Sequence, residues 1–547
     1  MAIFTIPQPF ETVRIAIIIV LLTFLIKTLY RAYFTPLSKV PGPWYARLTH
    51  LVLKYHVITG RRMHYIHSLH LAFGPIVLIA PTELSCSSLP SFKEIHRISK
   101  PFLKSPWYQN FANKPAQVFN MIDLKDHSAR RKLLAHAFSK TFLTVNWEGE
   151  IRKKVTMAID KIKRDALTGE ANILRFFTLM ATDAVGHICF GESFETLEKE
   201  QTTQYIEDLQ HIVQVGGIRA EFPTLFAIGK TLKIPFLQTP DARMLEYGSI
   251  AVRNAKSHSQ ASPNIFRKII AESKTENANG SLADFDIQCE AANFIVAGTD
   301  TTAITLTYLT YNVLKDRDLQ KRLEDEVDTL DETFELKDVE GLELLNAVLE
   351  EGLRLWGAAP GSLLRIVPKN GVQLDGYFVP EDITVSTQAY TIHRDPKIFP
   401  EPESFQPQRW LSPNKSSQSS DFKTANHAFG AGTRTCIGVH LARMEMGLCL
   451  ALFFRNCKGA RIALSQTEEG MEMVNFFLIA PKGEKCLITM KEGVYSINSL
   501  VAFQFGRMIV ECSNIGSLDK FSFKVVRNII FLEEVFNFLS VIVVVQH

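Results

Sequence analysis

The sequence predicts a mainly α-helical fold with a small β portion, in one large domain that follows an N-terminal transmembrane helix. Most of the chain from 61 to about 330 has helical patterning, and a long helix is predicted from Ala283 to about Lys315. Strand signals are short. The clearest is Ile76–Ala80, and residues 371–386 have strand character with a turn at Asp375-Gly376.

The composition supports a large buried core and gives no indication of a nucleic-acid partner. Of the 547 residues, 46% are hydrophobic and 21% are charged, and the formal net charge is only +3. The chain has 38 Phe against 5 Trp. That excess suits a cavity for an apolar ligand, although an ordinary core is the commoner reason for it.

Neither the cysteines nor a group of histidines predicts a zinc-type site. The eight Cys are scattered and none forms a C-x-x-C pair, which indicates reduced thiols in a body that faces the cytosol. The histidines at 64, 67 and 70 spread too far around a helix to share one ion. An amphipathic helix is the better interpretation.

An apolar run near the N-terminus predicts a membrane anchor over residues 1–34. The run from Ile15 to Ile26 is interrupted only by Thr23, and snorkelling of Lys27 and Arg31 would let about 20 residues cross a bilayer. The alternative is a cleaved signal peptide, but no small-x-small site follows and the next segment is basic. By the positive-inside rule, these charges predict a cytosolic body.

Residues 35–60 are predicted to form a Pro-rich hinge and linker between the anchor and the main domain, 61–490. Pro41-Gly42-Pro43 ends any helix and fixes a bend. An ordinary loop is compatible with the same residues.

The most specific signal is the loop 429–438, whose sequence is FGAGTRTCIG. It brings Cys436 to the start of a helix, where the dipole and free N–H groups lower the pKa of a thiol, and Arg434 adds positive charge. Gly432 and Gly438 have no side chain, so a flat group can approach the backbone closely. These features predict a shielded thiolate beneath a planar cofactor, although an isolated cysteine is more often an ordinary buried thiol.

This loop resembles the haem-binding loop of the cytochrome P450 family, Phe-x-x-Gly-x-Arg-x-Cys-x-Gly, at all five fixed positions. The resemblance covers about 41–490 and implies the cytochrome P450 fold. It implies haem b as cofactor, with the Cys436 thiolate as the axial iron ligand that favours O–O cleavage. It also implies that Phe429 shields the sulfur and that Arg434 contacts a haem propionate.

A second motif, AGTDTT at 297–302, resembles the oxygen-activation motif of the family and lies in the long predicted helix. Asp300 beside Thr301 places an acid next to a hydroxyl, a pair that could relay protons through water. Ala297 and Gly298 are the implied haem contacts, with Gly298 opening a gap in the helix wall. A solvated polar patch is the alternative, and the apolar residues before the motif argue against it.

Glu351 and Arg354, with Arg409 further on, resemble a structural charge cluster of the family. Their i, i+3 spacing puts the first two on one helix face, where an exposed ion pair would be the commoner outcome. The resemblance instead implies a buried three-way cluster that acts as scaffold.

Three more residues resemble family contacts to the haem propionates. His127 and Arg131 lie one helical turn apart, and Arg365 lies in the strand that follows the Glu351 helix. Contacts between Arg and a carboxylate are charge-assisted and directional. For each Arg the alternative is an exposed side chain in water.

The resemblance places the substrate side in segments that are mostly apolar. They predict an apolar or amphipathic small molecule. The overall sequence resembles that of fungal family members that tailor secondary metabolites, so a terpenoid or polyketide intermediate is the expected substrate. The segments and single positions are 102–124, 214–236, 359–363, 476–477, Phe294, Ile295 and Ala297.

These inferences predict a haem-thiolate monooxygenase that uses O2 and takes electrons from NADPH through NADPH-cytochrome P450 reductase. Lys125, Arg130, Lys132 and Lys140 are the predicted basic contacts for that partner. The alternatives are a haem-thiolate isomerase or dehydratase that needs no reductase, and a non-catalytic haem-binding membrane protein. The oxygen-activation motif disfavours both. The expected location is the endoplasmic reticulum membrane, single-pass, with lipid contact through the anchor and the catalytic domain in the cytosol.

The chain continues beyond the end that is usual in the family. Members normally end several tens of residues after the Cys, near Met490 here, yet residues 491–547 follow as an atypical extension. Its apolar stretch Val535–Val545 is too short and broken for a predicted span. An accessory segment, a second membrane contact, or translated sequence absent from the mature protein are the interpretations, and the last is favoured.

Overall fold

The computed structural model describes residues 9–112, 117–201, 204–238, 241–257, 264–267, 283–411 and 419–491. Residues 1–490 and 491–547 form two separate units. The predictions that concern the C-terminal extension and Cys512 therefore lie outside the described residues, apart from Lys491.

Helix α1, Pro9–Phe34, is a continuous helix of 26 residues with exposed apolar side chains. At 1.5 Å per residue it is about 39 Å long, more than the hydrocarbon core of a bilayer. Among the described residues, two helices are long and apolar enough to span a membrane, Val13–Phe34 and Ile173–Phe190. The second is mostly buried, as a core helix would be. The N-terminal helix is therefore the candidate anchor.

The bend predicted after this helix is present and packs on the first strand. Two short 3-10 helices, Pro36–Lys39 and Trp44–Arg47, flank it. The Leu78 N–H donates to the Pro41 carbonyl at 2.8 Å. A Cβ at Gly42 would lie 2.5 Å from the Leu78 carbonyl oxygen, so this close approach requires glycine.

The first half of the body is built from helices, as the sequence predicts. They are α2 (Leu51–Ile58), α3 (Arg62–Phe73), α4 (Leu89–Ile95), α5 (Trp107–Ala112), α6 (Leu124–Ala135), α7 (Lys140–Thr168), α8 (Ile173–Phe190), α9 (Thr196–Lys199), α10 (Gln204–Glu221), α11 (Pro223–Thr231) and α12 (Asp241–Lys256).

The second half contains the long helix predicted from Ala283, which begins one residue later. Its helices are α13 (Asp284–Lys315), α14 (Arg317–Val327), α15 (Leu336–Glu340), α16 (Glu343–Trp356), α17 (Ala389–Ile392), α18 (Ser420–Ala425) and α19 (Val439–Asn456). Helix α13 packs against α8, α12, α16 and α19 in the main hydrophobic core. It therefore runs through the centre of the body.

The described residues form four small sheets. The strand predicted at Ile76–Ala80 is confirmed. The largest sheet has the order β1-β2-β8-β5-β3, and the others pair β6 with β7, β10 with β11, and β4-β12-β9. Asp375 and Gly376 form the predicted turn between β6 and β7, with φ of 46° and 85°. The strands are β1 (Ile76–Ala80), β2 (Glu83–Cys86), β3 (Leu103–Lys104), β4 (Ala171–Asn172), β5 (Arg365–Ile366), β6 (Val372–Leu374), β7 (Tyr377–Val379), β8 (Thr384–Ser386), β9 (Arg461–Ile462), β10 (Met473–Asn475), β11 (Ile479–Pro481) and β12 (Leu487–Thr489).

The predicted charge cluster is buried at the start of the segment that leads to the Cys436 loop. Glu351 and Arg354 of α16 are fully buried and paired at 2.7 Å, and Arg409 reaches Glu351 at 3.1 Å. The three-way geometry expected from the sequence is thus present.

Candidate active site

Most of the residues predicted to bind a cofactor or to act in catalysis converge on one cavity of about 460 Å³. Helix α13 and the loop 429–438 both line it, and α6 and β5 contribute further side chains. Among the predicted site residues, all except Asp300 and Gly432 line the cavity. Those that do are His127, Arg131, Ala297, Gly298, Thr301, Arg365, Phe429, Arg434, Cys436 and Gly438.

Cys436 lies in the protein interior but is exposed to the cavity. Its backbone N–H donates to the Phe429 carbonyl at 2.8 Å, which closes the loop just before α19 begins at Val439. Burial raises the pKa of the thiol, while the N–H of Gly438 and the charge of Arg131 lower it to a smaller extent. The predicted net lowering is therefore wrong for the protein alone, and Arg131 rather than Arg434 supplies the nearby charge.

The glycines of the two motifs have packing roles that the sequence did not indicate. Gly432, with φ of 62°, does not line the cavity, and a Cβ there would clash with the carbonyl of His96. Gly298 lines the cavity, yet a Cβ would lie 2.5 Å from Val185, so α8 fills the predicted gap. The Cβ position of Gly438 lies 3.9 Å from the Cys436 sulfur.

Four arginines line the cavity among the described residues, and three of them, Arg131, Arg365 and Arg434, lie close enough to repel one another. Arg131 donates to the Thr435 carbonyl at 2.7 Å, and Arg434 donates to the Met121 carbonyl at 2.7 Å. Burial, and then Arg365 and Arg131, lower the pKa of Arg434 to about 10. These three arginines therefore have too little negative charge around them to balance their own charges.

Lys104 belongs to the same basic group, and the sequence reasoning missed it. In the pairing of β3 with β5, Lys104 lies directly opposite Arg365. Burial, and then Arg365 and Arg434, hold the pKa of Lys104 well below its usual range. Burial, and then Arg434 and Lys104, lower the pKa of His127 to about 3, so its imidazole is neutral. Only the β pairing reveals Lys104, since its sequence neighbours carry no motif.

Helix α13 presents Thr301 to the cavity. Its hydroxyl donates to the Ala297 carbonyl, one turn earlier, at 2.7 Å. Burial raises the pKa of the Asp300 carboxyl to about 6. Among the described residues Asp300 accepts no hydrogen bond from Thr301, so the two predicted relay groups are adjacent in sequence without being bonded.

Glu445 is a second acid at the cavity, and it was not predicted from the sequence. Glu445 of α19 is 1% exposed, and the Thr302 hydroxyl donates to one of its oxygens at 3.0 Å. Its other oxygen has no partner among the described residues. Burial raises the pKa of this carboxyl to about 8. The sequence signal that could have identified Glu445 is that it is the only Glu in α19, a helix that is apolar on most faces.

We expect Glu445→Gln to change how the free energy of unfolding depends on pH. The folded protein holds the Glu445 proton up to about pH 8, whereas the unfolded chain releases it near its ordinary pKa of 4.5. Rising pH between these values therefore destabilises the wild type, by up to about 1.4 kcal/mol per pH unit, and should spare the variant. Urea unfolding from pH 5 to pH 8.5 measures this, with Glu350→Gln as the half-buried, ion-paired control. Parallel profiles for wild type and Glu445→Gln would contradict it.

The substrate segments predicted from the sequence are only partly at the cavity. Residues from 104–119, 358–365 and 476–478 line it, as does Phe294. No described residue of 214–236 does so, and Leu225 and Ile228 of α11 are exposed instead. Ile295 points into the core. Ile212 and Met244, on α10 and α12, line the cavity and were not predicted.

One of the predicted basic contacts for a redox partner is buried. The Arg130 guanidinium lies 3.0 Å from Glu290 and 3.0 Å from Asp286, both at the start of α13. This charge holds α6 against α13, and the contact of Arg130 with a redox partner stays a prediction. Lys140 makes an exposed pair with Glu340 at 2.7 Å.

A mainly helical body with a cavity, a cysteine that faces the cavity just before a buried helix, and basic side chains in the lining has the groups that hold the iron and the propionates of a haem. The chain belongs to the cytochrome P450 family, whose family model, described as Cytochrome P450, matches residues 40–487. It is therefore an oxidoreductase, and the family implies haem held by a cysteine thiolate.

The relatives of this chain include cytochrome P450 monooxygenases from fungi. Cytochrome P450 monooxygenase cypX of Dothistroma septosporum is 37% identical over 502 residues, which cover 89% of this chain and 97% of the relative. Cytochrome P450 monooxygenase stcB of Emericella nidulans is 39% identical over 476 residues, covering 84% and 89%. Cytochrome P450 monooxygenase tazI of Aspergillus terreus is 37% identical over 482 residues, covering 86% and 98%.

Proposed function

We propose that the chain is a haem-thiolate monooxygenase that inserts one oxygen atom of O2 into an apolar or amphipathic small molecule, with Cys436 as the iron ligand. The observation that carries this proposal is the position of Cys436, a thiol that faces a cavity lined by basic side chains and by the oxygen-activation motif. A fungal secondary metabolite of terpenoid or polyketide type is the proposed substrate class, supported by the fungal relatives.

The cavity residues fit a haem. The basic side chains in the lining are Arg131, Arg365, Arg434, Lys104, His127 and Arg62, of which Arg62 pairs with Glu83. Glu445 is the only carboxylate among the described lining residues. A group of cations that lower one another's pKa requires anions, and two propionates would supply them. We assign Arg131, Arg365, Arg434 and Lys104 to that role.

When bound, a haem with a thiolate ligand supplies the activation of O2. The chain's residues do the rest. Phe429 packs at the closed end of the loop before Cys436, and its carbonyl fixes the Cys436 backbone. Thr301 holds a hydroxyl proton at the cavity wall, and Asp300 is an acid with a pKa near neutrality that can supply protons through water. The apolar walls exclude bulk water and orient the substrate.

We expect Thr301→Ala to separate oxygen consumption from product formation. Without the hydroxyl, proton delivery at the cavity wall is lost, so product formation should fall by about 10²-fold while NADPH oxidation continues. Product, O2 uptake and hydrogen peroxide are measured in full-length protein with reductase. Thr307→Ala is the control, since the Thr307 hydroxyl makes the same bond to the carbonyl one turn earlier, at 2.7 Å, but is buried away from the cavity. Equal loss in both variants would contradict the role of Thr301.

The proposed activity is tested with the wild-type holoprotein. We expect NADPH-dependent oxygen consumption that requires NADPH-cytochrome P450 reductase. A strain from which the gene is deleted should accumulate the substrate, which metabolite profiling would identify. Turnover of a hydroperoxide with no NADPH would favour the isomerase or dehydratase instead. Absence of NADPH oxidation with reductase and many candidate substrates would favour a non-catalytic haem protein.

We propose that α1 anchors the protein in the endoplasmic reticulum membrane with the body in the cytosol. Two observations support this: the apolar exposed surface of α1, and the basic residues Lys27 and Arg31 at the end of α1 nearest the body. Lys125, Arg130, Lys132 and Lys140 stay as proposed contacts for the reductase.

We expect a protein truncated after Met490 to keep the haem spectrum and thermal stability of the full chain. Strand β12 completes the sheet with β4 and β9, and the Met490 N–H donates to the Ala166 carbonyl at 2.8 Å. Truncation after Cys486, which removes β12 and the buried Ile488, is the control and should destabilise the protein. Loss of the thiolate spectrum after truncation at Met490 would contradict the proposed domain boundary at 490.

A further inference from the structure

Five aromatic rings from three separate segments line one part of the cavity. Trp107, Tyr108 and Phe111 come from α5, Phe119 follows them, and Phe477 lies between β10 and β11. Phe111 and Phe477 are 4.5 Å apart between centroids, and Trp107 and Phe111 are 5.1 Å apart. The rings therefore form one continuous aromatic wall.

The rings of this wall have two orientations. Trp107, Phe111 and Phe477 have faces within 37° of one another, at interplanar angles of 14°, 27° and 37°. Phe119 stands at 83° to Phe477, and Tyr108 at 79° to Phe119. Phe111 is buried behind the other two rings of the first set, so a flat ring placed here can stack on Trp107 or Phe477 and meet the edge of Phe119, the two arrangements that aromatic pairs prefer.

Part of the wall is left free for a ligand. Trp107, Phe119 and Phe477 are only half-buried, and all three line the cavity. Rings that served only the core would be expected to be fully buried, as Phe176 and Phe177 are. The half-buried surface is thus available to a molecule in the cavity.

Polar contacts fix the wall in place from behind. The Trp107 indole N–H donates to Glu221 at 2.9 Å, and the Lys104 ammonium lies 4.2 Å from the centre of the Tyr108 ring. The Asn475 amide donates to the Phe477 carbonyl at 3.1 Å. A wall held in this way is preorganised, so it selects ligands by shape rather than adapting to them.

We propose that the substrate is a planar aromatic molecule whose ring system stacks on Trp107 and Phe477, the two half-buried rings that pack on the buried Phe111. This inference rests on the proposed monooxygenase function and narrows its substrate class. The stacking holds the aromatic part at the wall, so the atom presented for oxidation lies on a substituent or ring edge that extends towards Cys436.

The test compares two probes, 2-naphthol and decahydro-2-naphthol, which share a carbon skeleton and a hydroxyl but differ in planarity. Binding to full-length holoprotein is measured by equilibrium dialysis and by the change in the haem spectrum. We expect 2-naphthol to bind at least about tenfold tighter, although a cavity that recognised only apolar area would favour the larger surface of the saturated alcohol.

In Phe477→Leu we expect the dissociation constant of 2-naphthol to rise about two- to tenfold, the range for one aromatic pair, with that of the saturated alcohol unchanged. Phe378→Leu is the matched control, because Phe378 lies on β7, is 44% exposed and is distant from the cavity lining. It should leave both constants unchanged.

The inference is overturned if wild-type protein with a thiolate spectrum binds both probes equally, prefers the saturated one, or fails to bind 2-naphthol. It is also overturned if Phe477→Leu weakens both probes alike. The wild-type comparison needs no variant, so a folding defect in Phe477→Leu leaves it decisive. Absence of the thiolate spectrum in the wild type would refute the proposed function instead.

Discussion

Replacing Cys436 with Ala is expected to abolish the strongly red-shifted Soret band that thiolate ligation produces in the reduced, CO-bound protein. An alanine methyl cannot bind iron, and no backbone atom can take the place of the sulfur. We also expect complete loss of reductase-dependent NADPH oxidation. The far-UV circular dichroism should change little, because the loop is closed by the backbone bond from residue 436 to Phe429 and not by the thiol.

The sharpest control for this result is Cys189→Ala. Cys189, on α8, is the only other cysteine among the described residues that line the cavity. If the sequence motif and the position in the structure both identify the ligand, Cys189→Ala keeps the band and Cys436→Ala loses it. Retention of the band in Cys436→Ala would refute the assigned ligand and, with it, the haem-thiolate assignment of this site.

The local features of the site were predictable from the sequence because they depend on short-range patterns. The beginning of α13 was predicted one residue early, and the helix predicted to follow Cys436 begins at Val439. The loop before Cys436 was visible from its glycines. These elements follow from helical periodicity and from residues that break it.

Features that depend on tertiary neighbours were not predictable. Lys104 joins the basic group only because two-residue strands β3 and β5 pair it with Arg365, some 260 positions away by number. Helical periodicity predicts which face of α6 carries Arg130, but it cannot predict that Asp286 and Glu290 of α13 lie opposite that face. Gly432 was explained by an approaching cofactor, whereas the neighbour that excludes a side chain is the His96 backbone.

The second large effect is expected from Glu351→Gln, which should lower the free energy of unfolding by about 3–5 kcal/mol, the usual result of removing one partner from a buried ion pair. Glu351 accepts from Arg354 at 2.7 and 2.8 Å, from Arg409 at 3.1 Å and from the Trp410 indole at 2.9 Å. A neutral amide leaves both guanidinium groups without their counter-charge, and Arg354 is 1% exposed. Urea unfolding measures the change.

The matched control is the adjacent carboxylate, Glu350→Gln. Glu350 pairs with Arg443 at 2.6 Å, but the two side chains are 25% and 38% exposed, so we expect a loss of only about 0–1 kcal/mol. Equal destabilisation by both variants would contradict the buried role of Glu351, since it would show that solvent screens both pairs alike.

Glu351→Gln should also weaken haem retention before the helices unfold, because the charge cluster is connected to the Cys436 loop. Arg354 donates to the His393 carbonyl at 2.7 Å, and the His427 N–H donates to the His393 ring at 3.0 Å, two residues before Phe429. Loosening Arg354 therefore frees the backbone that begins the loop. In Glu351→Gln we expect the Soret band to be lost at lower urea than the far-UV signal. Coincident transitions would mean that the cluster stabilises the fold without positioning the loop.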